Sequence, residues 1–156
     1  MFLGNIGETK LVDMETKVGI LNKVVMIDDN DFTNELHSRV ANSVNLANEV
    51  SCFNNAKDAL AELEKITEKY DFPELILADI HMPGMDGHEF SEKIQNMSGF
   101  NPNRTVLAFL TSSKDIVDVI KADENEVELY YWKPLNKDLL RKVLKTFCIL
   151  DRFLIH

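Results

Sequence analysis

The sequence has no long apolar run, few cysteines and no signal for export. No segment approaches the roughly 18 apolar residues of a membrane-spanning helix. The first residues also lack a basic stretch followed by an apolar core. The two cysteines, Cys52 and Cys148, are isolated and have no metal-ligand spacing, so we interpret both as reduced thiols in the core. These absences predict a cytoplasmic protein without a membrane anchor or a disulfide framework.

Basic residues are also scarce relative to acidic ones. The chain has 17 Lys and Arg against 26 Asp and Glu, which gives a formal net charge of −9 at pH 7. Because proteins that coat nucleic acid rely on clustered Lys and Arg, we expect no direct nucleic-acid partner. The patterns Gly-x-x-x-x-Gly-Lys and Gly-x-Gly-x-x-Gly are absent as well, which argues against a nucleotide site.

What is present is the pattern of one domain of alternating strands and helices. The length of 156 residues, with 45% hydrophobic and 28% charged residues, suits a single domain with a packed core. The predicted strands are 24–27, 44–53, 75–78, 106–110 and 127–132, and the predicted helices are 31–43, 56–66, 87–97, 114–123 and 136–147. In the first helix, Phe32, Leu36 and Val40 share one face. The alternation predicts an α/β doubly wound fold, with a five-stranded parallel sheet between helices on both faces.

The regular pattern does not cover the whole chain. Residues 1–22 show no clear period, and we interpret them as an N-terminal extension of unknown role. The domain itself is predicted to span 23–150. Only the short tail 151–156 follows it, so we expect a stand-alone domain whose output comes through another protein.

Polar and charged side chains follow four of the five predicted strands. Asp28 and Asp29 follow the first strand, Asp79 the third, Thr111 the fourth and Lys133 the last. Because the carboxyl ends of parallel strands form one edge of the sheet, we expect these side chains to meet there. Three clustered carboxylates repel one another unless a divalent cation neutralises them. The pattern therefore predicts a site of oxygen ligands for Mg²⁺.

A cation at this edge would bridge the carboxylates to an incoming phosphoryl group. A carboxylate in line with the phosphorus can act as a nucleophile. Lys133 would neutralise charge on the phosphoryl oxygens, and Thr111 would donate a hydrogen bond to them. Taken singly, each residue has an ordinary explanation, because aspartates after strands often cap the next helix and threonines occur in turns. Their joint occurrence at four strand ends favours the site.

These segments resemble the receiver domains of two-component response regulators. The blocks that carry the resemblance, in the family's order, are Val25-Met-Ile-Asp28-Asp29, Leu77-Ala-Asp79-Ile-His-Met-Pro83-Gly-Met-Asp-Gly87, Phe109-Leu-Thr111-Ser-Ser and Tyr130-Tyr-Trp-Lys133-Pro134. The second block is highly specific for this family, whereas a lone Asp pair or Lys-Pro pair is a weak signal. The resemblance covers about residues 23–150 and implies a flavodoxin-like sheet with strand order 2-1-3-4-5.

The resemblance also implies how the acidic residues divide their roles. Asp79 is the implied phosphoacceptor. Asp28, Asp29, Asp79 and the backbone carbonyl of His81 are the implied shell of Mg²⁺, for which Mn²⁺ can substitute. His81 and Ser113, two residues beyond the acceptor and the threonine, are implied to modulate how fast the phosphoryl group is lost.

Further roles follow for the last two strands. Thr111 and Lys133 are implied to contact the phosphoryl group, and the Lys133–Pro134 peptide is implied to be cis. Tyr130 occupies the family's switch-aromatic position and, like Trp132, lies on one side of its strand. Both rings could pack under the predicted fourth helix or border a partner surface. We favour the partner surface for Tyr130 and leave Trp132 open.

The expected function is therefore that of a signalling module rather than an enzyme with outside substrates. The implied phosphoryl donor is a sensor histidine kinase or a phosphotransfer protein. The implied downstream partner is a protein that binds the face formed by the predicted fourth helix, the last strand and the predicted fifth helix.

Two alternatives remain open from the sequence. Asp29-Asn-Asp31-Phe-Thr33 also fits the Asp-x-Asp-x-Thr start of haloacid-dehalogenase-type phosphatases. Against that interpretation, we find no later acidic metal motif and no cap insertion, and Asp79 on the third strand is a better nucleophile. The second alternative is a receiver-like module that binds partners without phosphate turnover, which the intact acid, Thr and Lys set disfavours.

Overall fold

The computed structural model describes residues 20–112 and 129–149. The elements are β1 (Leu21–Ile27), α1 (Asp31–Ser43), β2 (Ala47–Phe53), α2 (Ala56–Glu64), β3 (Leu75–Asp79), α3 (Gly87–Gln95), β4 (Val106–Thr111), β5 (Leu129–Trp132) and α4 (Lys137–Ile149). Helix α4 is the predicted fifth helix, whereas the predicted fourth helix (114–123) lies outside the described residues. Among the described helices, none is long and apolar enough to cross a membrane.

The five strands form one parallel sheet with the order β2-β1-β3-β4-β5. Strand β1 therefore lies between β2 and β3, and the chain reverses its direction of travel across the sheet after β2. This reversal is the topological switch point, where the carboxyl ends of β1 and β3 lie side by side. The predicted doubly wound α/β fold and its strand order are confirmed.

Each face of the sheet has its own hydrophobic core. Strands β3 and β4 are buried along their whole length, as expected for central parallel strands covered on both faces. Successive residues point to opposite faces: Ile76 packs in one cluster with Leu60 of α2 and Phe90 of α3. Leu77 packs in the other cluster with Leu140 of α4. The sheet is thus packed between two layers of helices, which fix the positions of the residues at its carboxyl edge.

Helix α1 forms where the apolar repeat predicts it, but the repeat does not mark its packing face. Phe32 is 74% exposed and Leu36 is 43% exposed. The side chains that α1 buries are instead those of Asn34, His37 and Ala41. Two of these are polar: Asn34 Nδ2 and His37 Nε2 each form hydrogen bonds to a neighbouring main-chain segment. The buried Asn34 Oδ1 has no hydrogen-bond partner among the described residues.

Two expectations at the margins of the domain are corrected. Cys52 is exposed rather than part of the core, because β2 is an edge strand without a single fully buried residue. The side chain of Cys148 lies outside the described part of the chain. Strand β1 begins at Leu21, inside the segment 1–22 interpreted as an extension. The polar Asn22 and Lys23 interrupt the apolar pattern there, although Leu21 is 1% exposed.

Two glycines near the start of α3, Gly84 in the preceding loop and Gly87 as the first helical residue, are required for different reasons. Gly84 has a φ of +83°, a left-handed conformation that side chains with a Cβ rarely adopt. At Gly87 the reason is space. A Cβ at that position would lie 2.6 Å from the Asp79 carbonyl oxygen and 2.9 Å from the Ile80 Cα. Backbone atoms cannot yield as a flexible side chain can, so α3 starts directly against the end of β3.

We predict that Gly87→Ala lowers the free energy of unfolding by about 1–3 kcal/mol, the usual cost of overpacking. Urea denaturation measures this loss. Gly84→Asn is the matched control, because that position has nothing within 4 Å of an added Cβ and Asn tolerates left-handed angles. A larger loss for Gly84→Asn than for Gly87→Ala would contradict the close-approach explanation.

Candidate functional site

The aspartates at the strand ends are not needed as helix caps. Asn30 caps α1 and Asp86 caps α3. Each side chain accepts a hydrogen bond from the third backbone N–H of its helix, at 3.0 Å and 2.9 Å. Helix capping therefore does not account for Asp28, Asp29 or Asp79, although Asp28 Oδ1 accepts a hydrogen bond from the Asn30 N–H at 3.0 Å.

These three aspartates come together at the carboxyl edge of the sheet. One carboxylate oxygen from each of Asp28, Asp29 and Asp79 lies within 4.8 Å of the other two. Asp28 is 4% exposed and Asp79 is 7% exposed, whereas Asp29 faces solvent. The cluster has the donor set of a hard divalent cation, which takes carboxylate, carbonyl and water oxygens.

Lys133 joins this cluster from the far side of the sheet. Its Nζ forms ion pairs with Asp28 Oδ2 and, at 3.1 Å, with Asp79 Oδ2. Its backbone N–H donates to the Thr111 carbonyl at 2.8 Å, which ties the end of β5 to the end of β4. The described structure therefore brings together the side chains of Asp28, Asp29, Asp79 and Lys133, and Thr111 adjoins them through its backbone carbonyl.

The charges of the site are coupled. Burial raises the pKa of Asp79, and the nearby Lys133 ammonium offsets this only in part. For Lys133, burial works to lower the pKa, but the hydrogen bond to Asp28 and the Asp79 charge outweigh it, so the pKa is raised. Lys133 is thus firmly protonated at neutral pH, while the ionised form of Asp79 remains costly in the absence of a further positive charge.

The remaining predicted site residues surround this cluster. Thr111 is fully buried as the last residue of β4. His81 is exposed, and its backbone N–H donates to Asp79 Oδ1 at 3.3 Å. The predicted cis peptide between Lys133 and Pro134 is confirmed. Ser113 lies outside the described residues, so its predicted role stays a prediction.

The two aromatic rings of β5 do share one side of the strand. Tyr130 and Trp132 meet edge to face, with ring centroids 5.4 Å apart and an interplanar angle of 88°. Tyr130 is half-buried against the core cluster of α2 and α3, whereas Trp132 is 43% exposed. The predicted fourth helix is outside the described residues, so both interpretations of this pair stay open.

Sequence reasoning missed two polar residues beneath the site, both on α1. Asn34 Nδ2 donates to the carbonyl oxygens of Asp28 at 2.8 Å and Phe53 at 3.0 Å. His37 Nε2 accepts from the backbone N–H of Leu135 at 3.3 Å. Burial lowers the pKa of His37, against a smaller opposing effect of the Asp28 charge. The periodicity gave no signal for them, because polar residues off the apolar face of a helix ordinarily face solvent.

We predict that Asp79→Asn stabilises the metal-free protein at neutral pH. Because folding raises the pKa of Asp79, the cost of its charge is absent below the ordinary value of 3.8 and sets in as the pH rises through the raised value. The variant should therefore melt at a higher temperature than the unmodified protein at pH 7 with EDTA. The gain should shrink as the pH is lowered toward 4.

Asp71→Asn makes the same chemical change at an exposed residue and serves as the control, with no comparable gain expected. A lower melting temperature for Asp79→Asn at pH 7 would mean that the ion pair with Lys133 outweighs the cost of burial.

Comparison with known proteins identifies the class. The family model described as response regulator receiver domain matches residues 24–145, and the chain belongs to this family. It is similar to part of the hybrid signal transduction histidine kinase L of Dictyostelium discoideum, at 27% identity over 130 residues, or 82% of this chain. That match spans only 7% of the kinase. The protein is a receiver domain of the two-component signalling class.

Solved structures agree with this assignment. The response regulator receiver protein of Dyadobacter fermentans is 28% identical, with a TM-score of 0.70 and coverage of 81% of this chain and 97% of that one. The two component response regulator of Cytophaga hutchinsonii is 27% identical, with a TM-score of 0.69 and coverage of 83% and 98%. Both are similar over nearly their full length to the sheet and helices described above.

Proposed function

We propose that this receiver domain accepts a phosphoryl group on Asp79. The observation that carries the proposal is the position of this buried carboxylate between two further acids and the ammonium of Lys133. In the transfer, an Asp79 carboxylate oxygen forms a bond to phosphorus while the bond from phosphorus to the donor's leaving group breaks. The leaving group departs with the bonding electron pair and takes up a proton.

The residues that would hold Mg²⁺ are Asp28, Asp29, Asp79 and, through its backbone carbonyl, His81; Mn²⁺ could take the same place. Support comes from the convergence of the three carboxylates within 4.8 Å and from the unfavourable burial of the Asp79 charge. The cation supplies positive charge that offsets the acids and the phosphoryl oxygens. Within the chain, the Lys133 ammonium and the His81 N–H hold the Asp79 carboxylate in position.

Charge and hydrogen bonding around the phosphoryl group would come from two strand ends. Lys133 already lies 3.1 Å from Asp79 Oδ2, close enough for its ammonium to contact an oxygen of the transferred group. Thr111, at the end of the adjoining β4, would donate from its hydroxyl. We propose that His81 and Ser113 at the rim influence how fast water removes the phosphoryl group.

The proposal places the signal in protein binding rather than in chemistry on outside substrates. The donor would be a sensor histidine kinase or a phosphotransfer protein, a role consistent with the kinase that contains a similar segment. The output face would comprise the predicted fourth helix, β5 and α4, with Tyr130 as its switch residue. Added phosphoryl charge would draw Thr111 and Lys133 inward and shift the equilibrium at that face. The receiver, predicted from the sequence to span 23–150, would begin two residues earlier with β1 at Leu21, and 1–20 and 151–156 would flank it.

We predict that incubation with acetyl phosphate and Mg²⁺ adds the mass of one phosphoryl group to the protein. Asp79→Asn should abolish this gain, because the amide keeps the shape of the side chain but has no nucleophilic charge. Intact-protein mass spectrometry measures both. Asp71→Asn is the control: this exposed residue lies outside the cluster, and its variant should be labelled like the unmodified protein.

Full labelling of the Asp79→Asn variant would contradict the assignment of Asp79 as the phosphoacceptor. If peptide mapping then found the phosphoryl group on Asp29 or Asp31, the phosphatase-like alternative would replace it. Absence of labelling in the unmodified protein, under conditions where it is folded, would favour a binding module without phosphate turnover.

We also predict that Mg²⁺ at millimolar concentration raises the melting temperature, because an ion that binds only the folded state stabilises it and here relieves repulsion among the three carboxylates. Asp29→Ala should reduce the shift. Asp29 is exposed, so the variant is expected to fold. No upward shift in the unmodified protein, or an equal shift in the variant, would count against a metal site at this edge.

A further inference from the structure

The short turn that carries Lys133 is held at both ends by hydrogen bonds from different parts of the fold. The Lys133 N–H donates to the Thr111 carbonyl at 2.8 Å. Pro134 has no N–H to donate. The next N–H, of Leu135, donates to His37 Nε2 at 3.3 Å. In this turn of three residues, 133–135, the backbone N–H after Lys133 is that of Leu135, and His37 accepts its hydrogen bond.

The same helix also holds the opposite side of the ion pair. On α1, Asn34 lies one turn before His37 and donates from Nδ2 to the Asp28 carbonyl at 2.8 Å. Asn34 is 6% exposed and His37 is 3% exposed, so neither contact competes with solvent. Helix α1 thus forms hydrogen bonds to the main chain at Asp28 and to the main chain just after Lys133. The side chains of Asp28 and Lys133 form an ion pair.

The chemical state of the imidazole follows from this contact. Because Nε2 accepts a hydrogen bond, it carries a lone pair, and the ring proton of the neutral side chain is on Nδ1. An apolar residue could fill the same space, but it would leave the buried Leu135 N–H without an acceptor. A side chain with an acceptor at this reach is required for the contact.

We propose that His37 is a positioning residue for phosphoryl transfer: through Leu135 it fixes the turn that aims the Lys133 ammonium at Asp79. The inference rests on the proposed function, in which Lys133 contacts the transferred group. The competing explanation is that the Leu135 side chain, which is 2% exposed, anchors the turn alone and that His37 only satisfies a buried donor. The two explanations differ in whether a new hydrogen-bond acceptor at position 37 restores the rate of Asp79 labelling.

The test measures the initial rate of Asp79 labelling by acetyl phosphate and Mg²⁺ in folded protein. His37→Leu removes the acceptor, and we expect a rate on the order of tenfold lower, since small misplacement of a positioned group costs one to two powers of ten. His37→Gln places an amide oxygen at the reach of Nε2 and should recover most of the rate.

Ala41→Gly is the stability control. Ala41 is another buried residue of α1, and the substitution weakens the helix without removing either hydrogen bond to the site. Its labelling rate should match that of the unmodified protein at a temperature where every variant is folded by circular dichroism. If His37→Leu does not fold, His37→Asn takes its place, because its amide is polar but too short to reach Leu135.

The outcomes separate the two proposals. A slow leucine or asparagine variant, a glutamine variant near the unmodified rate and an unaffected Ala41→Gly together support the positioning role. An unchanged rate without the acceptor, no recovery with glutamine, or an equal loss in Ala41→Gly each overturns it. Failure of the unmodified protein to become labelled overturns the proposed function itself, which is a different result.

Discussion

The ion pairs of Lys133 with Asp28 and Asp79 are the interaction on which the site depends. Lys133 follows β5, at one edge of the sheet, yet its Nζ reaches across β4 to acids at the ends of β3 and β1. Both acids are nearly fully buried. Removing the Lys133 ammonium would leave two buried carboxylates without a compensating charge, which is strongly destabilising. The carboxyl edge is therefore electrostatically bound together across four strands.

Buried ion pairs of this kind stabilise a fold less than apolar packing could. The site also has more negative than positive charges, which suits a signalling site. One ammonium faces two buried carboxylates and a third exposed one, so the cluster keeps a net negative charge. Burial raises the pKa of Asp79, and the negative charge of Asp28 adds a smaller effect in the same direction.

The two layers of helices contribute differently to this edge. Helices α2 and α3 pack against the sheet through apolar residues such as Leu60 and Phe90. Helix α1 instead turns Asn34 and His37 inward and exposes Phe32. Buried polar groups stabilise little on balance, but their directional bonds fix main-chain positions in a way that apolar contacts do not. Helix α1 thus fixes main-chain positions at the site, whereas the apolar packing of the fold is shared between the clusters on the two faces of the sheet.

The sequence by itself determined the features that depend on local order along the chain. Continuous apolar runs specified β3 and β4, and strand-terminal polar residues specified the members of the acidic site. Periodicity reports only which residues share a face, so it could not tell that α1 packs through Asn34 and His37 rather than through Leu36. Nor could it show that Cys52 lies on an exposed edge strand. The contact of His37 with Leu135 joins residues 98 positions apart. Such a contact exists only once the crossovers have set the strand order, and for that reason the tertiary structure alone decided it.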